Sequence, residues 1–366
     1  MSWYCPLPYT SLSSDPLGRY ALCCESMPSP HHCNDMTISQ FKNSDYMKKV
    51  RNGFKLDNPL SIPEIKKACF QCKLKEDQGA VSKRQREIFR TKEVTSNEKF
   101  MELKLIGNIC NYACLMCHPL SSSKIAEEQG INYPKYFNHS DEWYDDFKEI
   151  STEYDYFKFS GGEPFMSPTT KKIINILIDS GRSKNIKLQF NSNGSASKHV
   201  IQRLLDNFKF IDFCFSIDAW GERNSLIRKH STWEFTEDRI WDYSALLHKN
   251  KNFKISVHPC VSILNIGYLY EFEDYVNEYS FLDNFNFSIS NTLAFPHYYN
   301  ASYLPYDIKQ LYLEKNYNFI NSEKCGYADS TIGILESDNV DMRHFKEGIH
   351  KIPYYEKWYP EFVKYA

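Results

Sequence analysis

The chain has 366 residues, 42% apolar and 25% charged, with a formal net charge of −2. That length and balance suit a globular protein with one large domain plus a smaller one, or a single barrel with extensions. They speak against a nucleic-acid or membrane-surface partner, and no stretch approaches the ~20 apolar residues of a membrane span. The opening residues Met1 to Pro6 show no basic region followed by an apolar core, so no secretory signal is expected and the cytosol is the default location. In a reducing compartment the twelve cysteines point to metal binding or catalysis rather than to a disulfide framework.

Residues 1 to about 95 carry many turn residues, among them Pro6, Pro8, Gly18, Pro28, Pro30 and Pro59, and little sustained periodicity. A helix is predicted over 62–75. The basic run from Lys83 to Lys92 reads as a solvated helix face, and a domain boundary is placed near 95. From there strands alternate with helices. Strands are predicted at 99–106, 154–160, 185–190, 211–217, 253–263 and 284–289, and helices at 169–180, 196–207, 234–248 and 267–279. Strand, helix, strand repeated in this way implies parallel strands with right-handed crossovers. Six units are too few for the eight-stranded barrel, so the candidates are an α/β fold of the partial (β/α)6 barrel kind or a doubly wound sheet. Either places the ligand site at the carboxyl ends of the strands. Residues 296–366 are rich in tyrosine, with helices expected near 306–321 and 340–347.

Cys110-Asn-Tyr-Ala-Cys114-Leu-Met-Cys117 follows the first of these strands directly. Three thiolates at this spacing can ligate three irons of a four-iron cluster and leave the fourth iron open. A zinc knuckle completed by the adjacent His118 is the alternative. About fifty residues on, Ser160-Gly161-Gly162-Glu163-Pro164 ends the second strand. Its glycines let the backbone approach a ligand, and the carboxylate can accept hydrogen bonds from an ammonium group.

Together the cysteine loop and the Gly-Gly-Glu-Pro turn resemble the radical S-adenosylmethionine (radical SAM) superfamily, over roughly residues 98–290. The resemblance implies a partial barrel in which Cys110, Cys114 and Cys117 hold a four-iron cluster. The methionine end of the cofactor would chelate the open iron, with its amino group on Gly161, Gly162 and Glu163. Reduction would split the cofactor to a 5′-deoxyadenosyl radical that takes hydrogen from a substrate, the electron coming from a flavodoxin or ferredoxin. Asn193, in Asn-Ser-Asn-Gly, resembles the family's segment at the third strand end. Ser216 and Asp218 resemble its Ser-Leu-Asp segment, and Arg228 the arginine that follows. Met116 stands where many members carry an aromatic residue, and its backbone would face the adenine. Asn193 and Asp218 also suit plain turn or cap chemistry.

In the first segment, Cys5 and Cys23 are followed by Cys69-Phe-Gln-Cys72. Four thiolates suffice for a closed four-iron or zinc site. The pattern is similar to the Twitch domain, the short relative of the SPASM domain, which holds an auxiliary four-iron cluster. That domain usually follows the radical domain and here precedes it. Cys24 is an alternative to Cys23. Cys214, between Phe213 and Phe215, reads as a core residue, Cys260 as lining the cavity, and Cys33 and Cys325 have no evident partner. The expected organisation is thus an auxiliary-cluster domain over 1–95, a radical SAM barrel over 96–295 and an extension over 296–366. A peptide or protein is the expected substrate class, and no catalytic side chain is singled out.

Overall fold

The computed structural model describes residues 3–77, 81–93, 99–104, 107–133, 135, 139–279, 282, 284–289, 291–323, 325 and 328–366. It is an α/β chain whose strands are β1 (Ser11–Ser14), β2 (Tyr20–Ala21), β3 (Phe100–Leu103), β4 (Tyr156–Phe159), β5 (Lys187–Ser192), β6 (Phe210–Phe215), β7 (Phe253–Val257), β8 (Cys260–Val261), β9 (Phe285–Phe287) and β10 (Asn291–Thr292). The pairings β1–β3, β3–β4, β4–β5, β7–β9 and β8–β10 are parallel, and β1–β2 is antiparallel. The chain forms two compact units. The first comprises 1–109, 133–191 and 206–211, and the second 110–132, 192–205 and 212–366.

In the first unit the strands lie in the order β2-β1-β3-β4-β5. Phe157 and Phe159 stand opposite Leu188 and Phe190, and all four are buried on one face. Lys158 and Gln189, on the alternate positions, are half-buried on the other. This period of two is the alternation visible in the sequence. Parallel neighbours need a crossover. The helices Asp141–Ile150 and Pro168–Asp179 supply it, started by Ser140 and Ser167, whose hydroxyls accept from Trp143 N and Thr170 N.

Three features of this unit differ from expectation. β1 is a strand without alternation, since all four of its residues are buried, and it pairs through Ser11 and Leu12 with Phe100 and Met101. The helix expected over 62–75 is two helices, Pro63–Ala68 and Phe70–Asp77, interrupted at Cys69. Lys83–Glu93 is helical, but Arg84 and Glu87 are buried rather than solvated. Arg84 pairs with Glu76 at 2.7 Å and Lys83 with Glu87 at 3.0 Å, and those pairings allow the charges to be covered. The boundary placed near 95 lies outside the described residues, as do residues 105 and 106 of the first predicted strand.

In the second unit, the strand expected over 253–263 divides into β7 and β8, because Pro259 has no N–H for a ladder. The segment expected as a helix over 267–279 is a 3₁₀ stretch, Ile266–Phe272, followed by the helix Glu273–Tyr279. Tyr268 is non-helical there, and Gly267 presses so closely on the Tyr312 ring that a Cβ would sit 2.3 Å from it. Cys214 is half-buried, on the opposite side of β6 from buried Phe213 and Phe215, so it is not the core residue expected. The helices Tyr306–Ile320 and Met342–His350 are present as read. Among the described residues no helix is long and apolar enough to cross a membrane.

Candidate functional site

The cysteine loop lies in the second unit and is held by its backbone. Ala113 N donates to Lys229 O at 3.0 Å, Leu115 N to Ile227 O at 2.8 Å, and Cys117 N to Cys114 O at 2.9 Å. Ser123 Oγ bonds both the N–H and the C=O of Cys110, and Ser122 Oγ donates to Tyr112 O at 2.6 Å. Tyr112, Ala113 and Met116 are buried, whereas Cys110, Cys114 and Cys117 are half-buried. The loop therefore uses its apolar residues as anchorage and leaves the three cysteines half-buried.

Two polar side chains approach the sulfurs. Asn193 Nδ2 lies 4.0 Å from Cys110 Sγ and donates to Asn111 Oδ1 at 2.8 Å. Arg228 Nη1 lies 4.0 Å from Cys114 Sγ, while Nη2 pairs with fully buried Asp218 at 2.6 Å. Asp218 Oδ1 also accepts from Cys260 N at 2.9 Å, and Asn224 Oδ1 receives Asp218 N at 3.0 Å. Asn265 bridges Asp218 O and Cys260 O. Burial, chiefly, pushes the Cys114 thiol up to about 12, with the Arg228 guanidinium opposing. Arg228 Nε and Asn224 Nδ2 are buried donors with no partner among the described residues. Ser216 is half-buried, with its N–H on Ser192 O at 2.8 Å. Gly194, at φ 85°, could not carry a Cβ, which would meet the Phe215 ring at 2.8 Å.

The glycine turn lies in the first unit. Gly161 and Gly162 have φ of 86° and 47°. A Cβ on Gly162 would stand 2.4 Å from Ile109 O, so the turn is closed down on the residue that precedes Cys110. Glu163 N donates to that same oxygen at 2.7 Å. The Glu163 carboxylate is fully buried and accepts from Phe165 N at 3.2 Å, capping the short turn Pro164–Met166.

The model of the radical SAM superfamily matches residues 105–278. The matched residues, just under half of the chain, include the cysteine loop and the glycine turn. Among solved structures, the chain is similar to native anSMEcpe with bound AdoMet at 18% identity and a TM-score of 0.45, over 60% of each chain. It is also similar to Streptococcus suis SuiB bound to S-adenosylmethionine, at 12% identity and 0.42, over 81% of this chain and 71% of that one. Streptococcus suis SuiB bound to the precursor peptide SuiA is similar at 13% identity and 0.40, over 82% and 71%. Comparison with curated proteins gave no match.

The donor set around the cysteine loop fits a cluster with one open iron. Three thiols stand on one loop, N–H groups face two of the sulfurs, and buried donors await an acceptor. The turn at Gly162 is a cradle that a side chain would fill.

Outside the matched residues, Cys5, Cys23, Cys69 and Cys72 line one cavity of the first unit, with Leu7, Leu22, Ala68, Glu25 and Arg84. Cys23 has Cys5 and Cys69 as electrostatic neighbours, whereas Cys24 faces Glu102, Lys83, Lys158 and Lys104. The doublet is thereby divided, with Cys23 on the cavity. Burial pushes the Cys5 thiol up to about 12, and a bound metal would draw such protons off. Among the described residues no three His, Cys, Asp or Glu side chains converge closely enough for a single metal ion, so the thiols surround the cavity rather than meeting at a point. Sequence reasoning missed Asn111, Asn224, Asn265, Arg84 and Glu102. Glu102 alone left a trace, a charge inside an apolar strand. Cys33 is buried and shielded by His32, and Cys325 is buried near Ser322.

Proposed function

We propose that this enzyme cleaves S-adenosylmethionine reductively and abstracts hydrogen from a peptide or protein substrate. The observation that carries this reading is the loop of Cys110, Cys114 and Cys117, whose sulfurs are half-buried and attended by Asn193 and Arg228. When bound, the four-iron cluster with S-adenosylmethionine supplies a 5′-deoxyadenosyl radical. The chain's own residues bind and orient. Gly161, Gly162 and Glu163 receive the cofactor's amino group. Ser216, Asp218 and Arg228 line its ribose and carboxylate side, and the Met116 backbone meets the adenine. Asp218 keeps Arg228 in place, pairing with Nη2 at 2.6 Å while Nη1 stands 4.0 Å from Cys114 Sγ.

Cys5, Cys23, Cys69 and Cys72 hold an auxiliary four-iron cluster in an N-terminal Twitch-like domain over 1–95. Thiols spaced around a cavity suit a multi-iron group better than a zinc ion, whose ~2.3 Å bonds would draw four sulfurs together. Residues 96–295 are the partial (β/α)6 barrel and 296–366 an extension, and a flavodoxin or ferredoxin donates the electron. Anaerobically reconstituted protein given dithionite and S-adenosylmethionine is expected to release 5′-deoxyadenosine. Absence of that product, or zinc without iron and sulfide in freshly purified protein, overturns the reading.

A further inference from the structure

The last residues of the chain are seated within the second unit. Tyr359 and Phe362 are fully buried, and their rings stack with centroids 5.2 Å apart. The Tyr359 hydroxyl donates to Leu264 O at 2.7 Å. Glu361 accepts from the hydroxyls of Tyr268, at 2.7 Å, and Tyr312. One contact of this segment is with a charged side chain of a distant helix. Arg223 Nη1 donates to Trp358 O at 3.0 Å, and Nε and Nη2 meet the two oxygens of Glu271 at 3.3 and 3.4 Å. The guanidinium also lies 3.4 Å from the centre of the Tyr268 ring, and the Arg223 side chain is only 11% exposed. A planar fork with its edges bonded and one face on a ring is fixed in place.

Arg223 lies on the helix Gly221–Ile227, and that helix leads to the cysteine loop. Its neighbour Asn224 is fully buried, and Asn224 Oδ1 receives Asp218 N at 3.0 Å and Ala219 N at 3.4 Å. Ile227 O receives Leu115 N of the cysteine loop at 2.8 Å. Arg228, which follows, donates its N–H to Asn224 O at 2.8 Å and places its guanidinium between Asp218 and Cys114 Sγ. Seven residues make about two turns, roughly 10 Å of helix, so a shift at Arg223 carries Asn224 and Ile227 with it. Glu271 supplies a second route, since it lies in the stretch Ile266–Phe272, and Asn265, just before that stretch, bridges Asp218 O and Cys260 O. We propose that Arg223 is a positioning residue that ties the C-terminal segment 355–366 to the Asp218–Arg228 pair. The seated tail sets where the Arg228 guanidinium stands beside Cys114. Whatever the tail contributes to cofactor binding, the bound cofactor returns to the seating of the tail.

This inference rests on the reading of Asp218 and Arg228 as neighbours of S-adenosylmethionine, and two of its readouts need no turnover. In reconstituted full-length protein, hydrogen exchange of the amides over 355–366 is expected to slow when S-adenosylmethionine is added. In Arg223→Met that slowing disappears. The dissociation constant for S-adenosylmethionine, by calorimetry with the oxidised protein, weakens roughly tenfold, as loss of a charge-assisted hydrogen bond implies. Arg223→Lys keeps a charge beside Glu271 but cannot also span to Trp358 O, and it recovers part of the affinity. In cofactor cleavage without substrate, the KM for S-adenosylmethionine rises in Arg223→Met by more than kcat falls. A fall in kcat at the wild-type KM marks mere loss of folded protein and overturns the proposal. Phe362→Ala loosens the tail at a distance from Arg223 and carries the test if Arg223→Met does not fold, with weaker cofactor binding expected. Tail protection and affinity both unmoved in the variants overturn the link to the tail alone. A wild-type protein that assembles its cluster and does not bind S-adenosylmethionine overturns the reading beneath it.

Discussion

The two sets of thiols differ in number and in what surrounds them. Cys5, Cys23, Cys69 and Cys72 line a cavity walled by Leu7, Leu22 and Ala68, with Glu25 and Arg84 as charged neighbours. Cys110, Cys114 and Cys117 stand on a loop beside Asn193, Arg228 and Asp218, with two buried donors unpaired. On the proposed reading, four thiols around a cavity complete a cluster's coordination and leave nothing to bind, whereas three thiols among polar groups leave one position open and supply the contacts that would hold what fills it. The difference teaches that ligand count and second neighbours, more than the presence of cysteine, separate a site for storing or passing electrons from a site for chemistry.

Removing one ligand from each set breaks the comparison most sharply. Cys114→Ala is expected to abolish 5′-deoxyadenosine formation, seen by chromatography, while iron analysis still finds the auxiliary share. Cys72→Ala should do the reverse, losing the auxiliary iron while cofactor cleavage without substrate persists. If either variant loses both shares, the sets are not independent.

The polar surroundings are tested next. Arg228→Met strands the Asp218 carboxylate in the interior, at a cost of about 3 kcal/mol. A fall in the unfolding midpoint in denaturant, with an unchanged slope, checks this. Gly162→Ala forces a Cβ toward Ile109 O at positive φ, worth about 1–3 kcal/mol of strain. Thermal unfolding should fall by several degrees and S-adenosylmethionine affinity with it. Asn193→Ala removes the hydrogen bond to Asn111 and the two that Asn193 Oδ1 accepts from Ser195 N and Oγ, and is the mildest change, about 1 kcal/mol. Its signature is a perturbed cluster spectrum with stability nearly unchanged.

Much of this was legible in the sequence where residues follow a simple period or spacing. The strands β4, β5 and β6 were readable because Phe157, Phe159, Leu188, Phe190, Phe213 and Phe215 bury one face with a period of two. The cysteine loop and the Gly161-Gly162-Glu163 turn were readable because the chemistry requires their residues in contiguous order. β1 was not, since Ser11, Leu12, Ser13 and Ser14 are all buried and offer no alternation. Nor was Cys214, where a flanking pair of phenylalanines suggested a core that the pleat turns the other way. The partners Asn111, Asn224 and Asn265 escaped because an asparagine in a loop looks the same whether it caps a turn or steadies Asp218. Arg84 was hidden in a basic run, where nothing local marks the one guanidinium that finds Glu76.

The pairing of β1 with β3 joins Ser11 to Phe100. A ribosome delivers the N-terminal end first, so Cys5 and Cys23 emerge beside a strand that pairs early with β2 but whose β3 edge has no neighbour until much later. Until then β1 presents an open edge with four residues destined for burial, the kind of segment that pairs with the wrong chain. Delivery of iron and sulfide to the thiols at 5, 23, 69 and 72 would thus best await release of Phe100–Leu103. Slow synthesis across the stretch before residue 100, or a chaperone that covers β1, would protect the yield of loaded protein.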